Sequence, residues 1–127
     1  MALKIRRTVV PVELNEAVAA HAAATVVNDA AEASRYIDAR AAEAVAAALG
    51  RAGALRPFIR YEVLARARLG FHYLVKVKFI GRSGDLILQN RWSRTANGDW
   101  RLIECDDLGV KSPWKKPDKP IVVNADA

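Results

Sequence analysis

Two hydrophobic periods divide the chain. Between residues 12 and 49, apolar positions recur every three to four residues. Leu14, Val18, Ala22 and Thr25 or Val26 form one stripe; Ile37, Ala41, Ala44, Val45, Ala48 and Leu49 form another. The segment is rich in Ala, Glu and Arg, which favour helix. Between the stripes lies Asn28-Asp29-Ala30-Ala31-Glu32. An Asx residue followed three positions later by Glu predicts a second helix starting near Asp29. Gly50 and Gly53 are expected to end the helical region.

From Phe58 to Asp107 the period becomes two, and the turns suggest a register. A three-residue loop over Arg68-Leu69-Gly70 would use glycine where a left-handed backbone is needed. It pairs Ala67–Phe71, Ala65–Tyr73, Val63–Val75, Tyr61–Val77 and Ile59–Phe79 on an inner, apolar face. Arg66–His72, Leu64–Leu74 and Glu62–Lys76 fall outside, and Arg60 meets Lys78 as a like-charge pair. Gly81-Arg82-Ser83-Gly84 closes a second hairpin that keeps the same faces, with Phe79–Leu86, Val77–Leu88, Val75–Asn90 and Tyr73–Trp92 inside. Asn97-Gly98 is expected to form a two-residue type I′ turn, pairing Trp92 with Ile103 and Asn90 with Cys105 inside. Arg91 and Glu104 then pair outside. Three turns agree on one apolar face, which predicts a four-stranded antiparallel meander.

Helices followed by a meander predict an α+β fold, the N-terminal helices packed on a curved sheet. A chain of 127 residues suits one domain, expected over residues 1–110. Residues 111–127 are expected to form a Pro/Lys-rich extended tail, in which Ile121-Val122-Val123 could add an edge strand. Leu3 and Ile5, alternating with Lys4, Arg6 and Arg7, allow a short strand at the start.

Charge and cysteine content narrow the chemistry. The net charge is +6, and residues 57–127 carry thirteen Lys/Arg against eight Asp/Glu. Acids are interspersed, so the excess fits solubility better than a nucleic-acid patch. Arg60, Arg66, Lys76, Lys78 and Arg94 also lack an exposed aromatic ladder for stacking bases, which disfavours nucleic acid as a partner. A single cysteine excludes an internal disulfide. Cys105, flanked by Glu104, Asp106 and Asp107, is a poor thiolate. His21 and His72 lie on different elements, so neither a metal nor another cofactor is expected. Glu13 and Glu16 interrupt any export signal and no apolar run reaches membrane length, so a cytoplasmic protein with no membrane partner is expected.

The VVNDAAEASRYID helix junction and the closing GDLILQNRWSRTANGDWRLIECDD hairpin, with the strands between, carry a resemblance over residues 12–107. The pattern resembles the nuclear transport factor 2-like, ketosteroid-isomerase-like (polyketide-cyclase-like) superfamily. That resemblance implies a cone-like, cystatin-like α+β sandwich with a pocket between helices and sheet, and frequent dimerisation through the sheet. Its members include isomerases, dehydratases, cyclases and hydrolases alongside non-catalytic binding modules, so fold leaves function open.

The inner face offers Tyr61, Tyr73, Asn90 and Trp92 as candidate ligand-binding residues, with the Cys105 thiol nearby. Acid–base work would fall to Asp38, His21 or Asp107, with Tyr36 close to Asp38. Two readings stand. One is a pocket protein for a small apolar ligand, of the isomerase- and cyclase-like kind; any catalysis would be that of an acid–base isomerase, dehydratase or hydrolase without metal. The other is a non-catalytic binding or assembly module using the outer face and basic tail. Leu64, Leu74, Ile80, Ile87, Trp100 and Leu102 fall outside among Arg66, His72, Gln89, Arg91 and Glu104. So mixed a face predicts a homodimer.

Overall fold

The computed structural model describes residues 10–111. Three helices, α1 (Val12–Val26), α2 (Ala30–Ser34) and α3 (Ala39–Arg51), precede strands β1 (Arg60–Leu69), β2 (His72–Ile80), β3 (Asp85–Arg94) and β4 (Trp100–Lys111). The Pro11 carbonyl accepts the first free N–H groups of α1, from Leu14 and Asn15. Asn28, with φ of 62°, turns the chain out of α1. Asp29 then caps α2 by accepting the Glu32 N–H at 3.1 Å, as the sequence predicts. Asp38 caps α3 in the same way through the Arg40 N–H at 2.9 Å. Helix α3 runs past Gly50 and gives way to a 3-10 turn at Gly53–Leu55.

Ile37 is not helical. It bridges Leu102 in parallel, with Leu102 N–H donating to Tyr36 O at 2.8 Å and Asp38 N–H donating to Leu102 O at 2.9 Å. The link between α2 and α3 therefore stitches the helical layer to the β4 edge.

The sheet is an antiparallel meander in the order β1-β2-β3-β4. Its middle hairpin has the expected register throughout, from His72–Ser93 to Ile80–Asp85. The first does not. The chain reverses at Gly70-Phe71, with Leu69 paired to His72, so Phe71 is a turn residue rather than an inner one. A bulge at Leu64 then separates Val63–Val77 from Ala65–Lys76. An extra residue reverses the alternation beyond it. Arg66 and Arg68 oppose inner-face Val75 and Tyr73, while Ala65 and Ala67 oppose outer-face residues. Arg66 confirms the reversal by donating to Asn15 of α1 at 3.0 Å. The like-charge clash of Arg60 with Lys78 also disappears: Lys78 opposes Glu62, with 3.6 Å between their charged groups.

The third hairpin keeps Asn90–Cys105 and Arg91–Glu104 but shifts at Ile103, pairing Trp92 with Leu102 and Arg94 with Trp100. Its loop is five residues long, because Thr95 N–H donates to Asp99 O and Gly98 N–H to Thr95 O. Trp100 and Leu102 therefore belong to the inner face, at 7% and 0% exposure, and not to the outer one. The core between helices and sheet joins Leu14, Val18 and Ala22 of α1 and Ala41, Val45 and Ala48 of α3 to Val75, Val77, Phe79, Leu86, Leu88 and Trp92. Ala44, expected in the stripe of α3, is exposed. Among the described residues no helix is long and apolar enough to cross a membrane. The strands expected at Leu3–Arg7 and Ile121–Val123, and nearly all of the expected tail, lie outside the described residues.

Candidate functional site

Helix α1 carries two stripes with different tasks. Leu14, Ala17, Val18, His21, Ala22 and Thr25 are buried. Glu13, Glu16, Ala17 and Ala20, spaced i, i+3, i+4 and i+7, line one wall of an open cleft of about 640 Å³. The opposite walls are Arg35 and Tyr36 from the helix link and Gly98, Asp99, Trp100 and Arg101 from the start of β4. Ala17 belongs to both stripes. His21, one turn further along the same face, lies beyond the cleft, in the interior.

There an aromatic and polar cluster begins. The His21 ring meets Trp92 edge-on, at 5.9 Å and 79°. Tyr73 is the cross-strand partner of Trp92 and meets Trp100 edge-on at 5.7 Å. Asn90, two residues from Trp92 on the same face, is 1% exposed and paired with Val75 and Cys105. Arg94 closes the outer side of Trp100, its guanidinium carbon 5.9 Å from the ring centroid. Four buried polar atoms here have no hydrogen-bond partner among the described residues: His21 Nε2, Asn90 Oδ1, Trp92 Nε1 and Trp100 Nε1. Each such atom costs about 1–3 kcal/mol when left unpaired. Gathering four around one helix–sheet junction is unusual for a filled core.

Electrostatics sets what the cluster can do. Burial lowers the His21 pKa to about 4, leaving a neutral imidazole at neutral pH. Burial, reinforced by Asp106 and Asp107, pushes the Cys105 thiol up to about 11, which suppresses its thiolate. The interior therefore presents two indole donors, one amide acceptor and one neutral imidazole, and no formal charge.

The solved structures include one similar chain, an NTF-2-like protein of unknown function from Burkholderia xenovorans LB400. It superposes with a TM-score of 0.52 over 84% of this chain and 88% of that one, at 14% identity. The chain has an NTF-2-like fold. The α+β class expected from the sequence, helices first and antiparallel meander after, is the one the structure has. No family model matches the sequence, and no curated protein matches it.

Within this NTF-2-like fold, Tyr73, Asn90, Trp92 and His21 come together, and the other sequence-predicted residues do not join them. Tyr61 is half-buried opposite Phe79, six residues along β2 from Tyr73, or about 20 Å at strand rise. The Asp38 carboxylate accepts the N–H, Nε and Nη2 of Arg40, which hold its pKa down at about 2. It caps a helix. Asp107 accepts Arg51 Nε at 3.0 Å and the Gly109 N–H at 2.8 Å, tying the end of α3 to β4. Trp100 and the Glu13/Glu16 wall are the site residues that sequence reasoning missed. For Glu13 and Glu16 the signal was present, as two acids bracketing alanines at helical spacing; for Trp100 it was hidden by the bulge at Ile103. Among the described residues no group of His, Cys, Asp and Glu could hold a metal ion.

Proposed function

We propose that the protein binds a small, uncharged, largely apolar molecule at the helix–sheet junction, entering through the cleft between α1 and the start of β4. The observation that carries this reading is the set of four unpartnered buried polar atoms beside Trp100, which lines the cleft. A ligand offering a carbonyl or ether oxygen to an indole N–H, and a hydroxyl to Asn90 Oδ1, would satisfy them. A charged group would meet no counter-charge in the interior and would be rejected by desolvation. Any acid–base step would fall to His21, the base nearest the cluster. At a pKa of about 4 it is a weak base, which favours binding over turnover.

Native mass spectrometry of the purified chain, followed by denaturing extraction, tests this directly. A neutral molecule that leaves on denaturation supports the reading. Asn90→Leu then separates binding from folding. Removing an unpaired buried oxygen should stabilise the free protein by about 1 kcal/mol while weakening retention of the ligand. Destabilisation by that change, with nothing extracted from the native chain, would assign the cluster to structure alone.

A second reading rests on the outer sheet face. Leu74, Ile80 and Ile87 are half-buried there. Lys78 lies between Glu62 and Asp85, and Arg91 between Glu104 and His72. Apolar side chains interleaved with self-complementary charges suit a second copy of the chain.

A further inference from the structure

Among the described residues, the apolar tip of the first hairpin packs against no part of the core. Gly70, at φ of 61°, permits a two-residue reversal that carries Phe71 out beyond the last ladder pair, Leu69–His72. Phe71 is 90% exposed, and Leu69 and Leu64 are 46% and 44% exposed. The strand is exposed all the way from Leu64 to the tip, although Arg66 reaches Asn15 of α1. Single exposed apolar residues are ordinary on a soluble surface. A phenyl ring held at the apex of a tight turn, with leucine beside it, is a different arrangement.

Two basic residues share this end of the sheet. Arg68 donates to Gly70 O at 3.0 Å and Arg94 donates to Gly98 O at 3.3 Å. Both are exposed, and among the described residues neither is paired with a carboxylate. Arg101 and Asp99 lie across the end in the closing hairpin, and Glu13 and Glu16 of α1 face them across the cleft, so the positive charge of this end is local to Arg68 and Arg94.

We propose that the β1–β2 hairpin docks the protein on anionic lipid surfaces, with Phe71 and Leu69 entering the headgroup–acyl boundary and Arg68 and Arg94 meeting lipid phosphates. A stable protein partner needs about 800 Å² of complementary surface on each side, far more than a two-residue apex offers. A bilayer interface is soft and requires no matching shape. Nucleic acid would call for a ladder of stacking rings, and the tip has one. The sequence expectation of no membrane partner rested on the lack of a spanning segment; a hairpin lies on a membrane without crossing it. The open cleft has Gly98 to Arg101 in its wall, at the same end of the sheet, so a docked molecule would turn that end toward the lipid.

Flotation of the full chain with vesicles tests the proposal, using phosphatidylcholine alone and phosphatidylcholine with phosphatidylglycerol. Binding is expected on the anionic vesicles only, and it should weaken with salt. Phe71→Ser should weaken it about tenfold, and Arg68→Gln and Arg94→Gln about fivefold each. The thermal midpoint of Phe71→Ser should match that of the parent, because the ring lies outside the core. Absence of binding to anionic vesicles overturns the proposal, as does binding that Phe71→Ser leaves intact. A smaller native mass in Phe71→Ser, with no vesicle binding by the parent, would assign the tip to a second copy instead. Oligonucleotide binding that depends on Arg68 and Arg94 but not on Phe71, again without vesicle binding, would assign it to nucleic acid.

Discussion

Burial holds His21 uncharged, and folding must therefore depend on pH through it. The unfolded histidine takes up a proton near the ordinary value of 6.5; the folded one resists until about 4. Because the folded pKa is depressed, stability from this residue is complete above pH 6.5 and falls as the pH drops from 6.5 toward 4. The gap is worth about 3 kcal/mol once pH 4 is reached, a large share of a small domain's stability. His21→Leu should keep the parent's stability at pH 7, since Trp92 receives an apolar neighbour in place of the ring. It should also flatten the loss between pH 6.5 and 4. Urea midpoints at pH 7, 5.5 and 4.5 measure this, and an unchanged slope in the variant would locate the sensitive group elsewhere. In the proposed binding of a neutral molecule, a neutral Nε2 would need no ion-pairing partner.

At the scale of elements, β4 is the hinge of the architecture. Leu102 is fully buried, pairs with Trp92 on one side and exchanges two backbone hydrogen bonds with Tyr36 and Asp38 on the other. Leu102→Ala should cost about 2–5 kcal/mol, read as a shift in urea midpoint, since it opens a cavity where sheet, helix link and core converge. A loss below about 1 kcal/mol would mean that the α2–α3 link packs independently of β4. These elements also show which parts of the fold were legible. Residues 72–93 were read correctly because GRSG fixes a hairpin whose alternation runs unbroken on both strands. The flanking hairpins were misread for one shared physical reason. Bulges at Leu64 and Ile103 change the parity of a strand, and neither site carries a glycine to signal it. A single-residue slip exchanges the faces, which hid Trp100 from the site and assigned Arg66 to the wrong face; Phe71 was misplaced by the turn, which is Gly70-Phe71 and not Arg68-Leu69-Gly70. Tyr73, Asn90 and Trp92 come together because their strands keep the expected alternation, and His21 joins them from the buried stripe of α1.

For the whole molecule, the outer face decides between a monomer and a pair. Correcting the register removes Trp100, Leu102 and Arg66 from that face, so a charge at Trp100 would now report on the core rather than on assembly. Leu74 and Ile87 remain, one on each central strand, with the Lys76–Gln89 rung between them. If two copies meet there, Leu74 and Ile87 would be buried beside the ion pairs of Arg91 with Glu104 and of Lys78 with Glu62 and Asp85, which stand directly across from them on the same rungs. The parent should then have twice the chain mass by native mass spectrometry, and Leu74→Glu or Ile87→Glu should give the single-chain mass. Far-UV circular dichroism of the variants should stay that of the parent, because neither side chain enters the helix-facing core. A parent that runs at 13.9 kDa, or a pair that survives both glutamates, removes the outer face as the interface. Ligand retention by the monomeric variants separates the two proposals: the cleft is bounded by α1, the helix link and the start of β4, and neither Leu74 nor Ile87 lines it, so it should remain intact when the pair is broken.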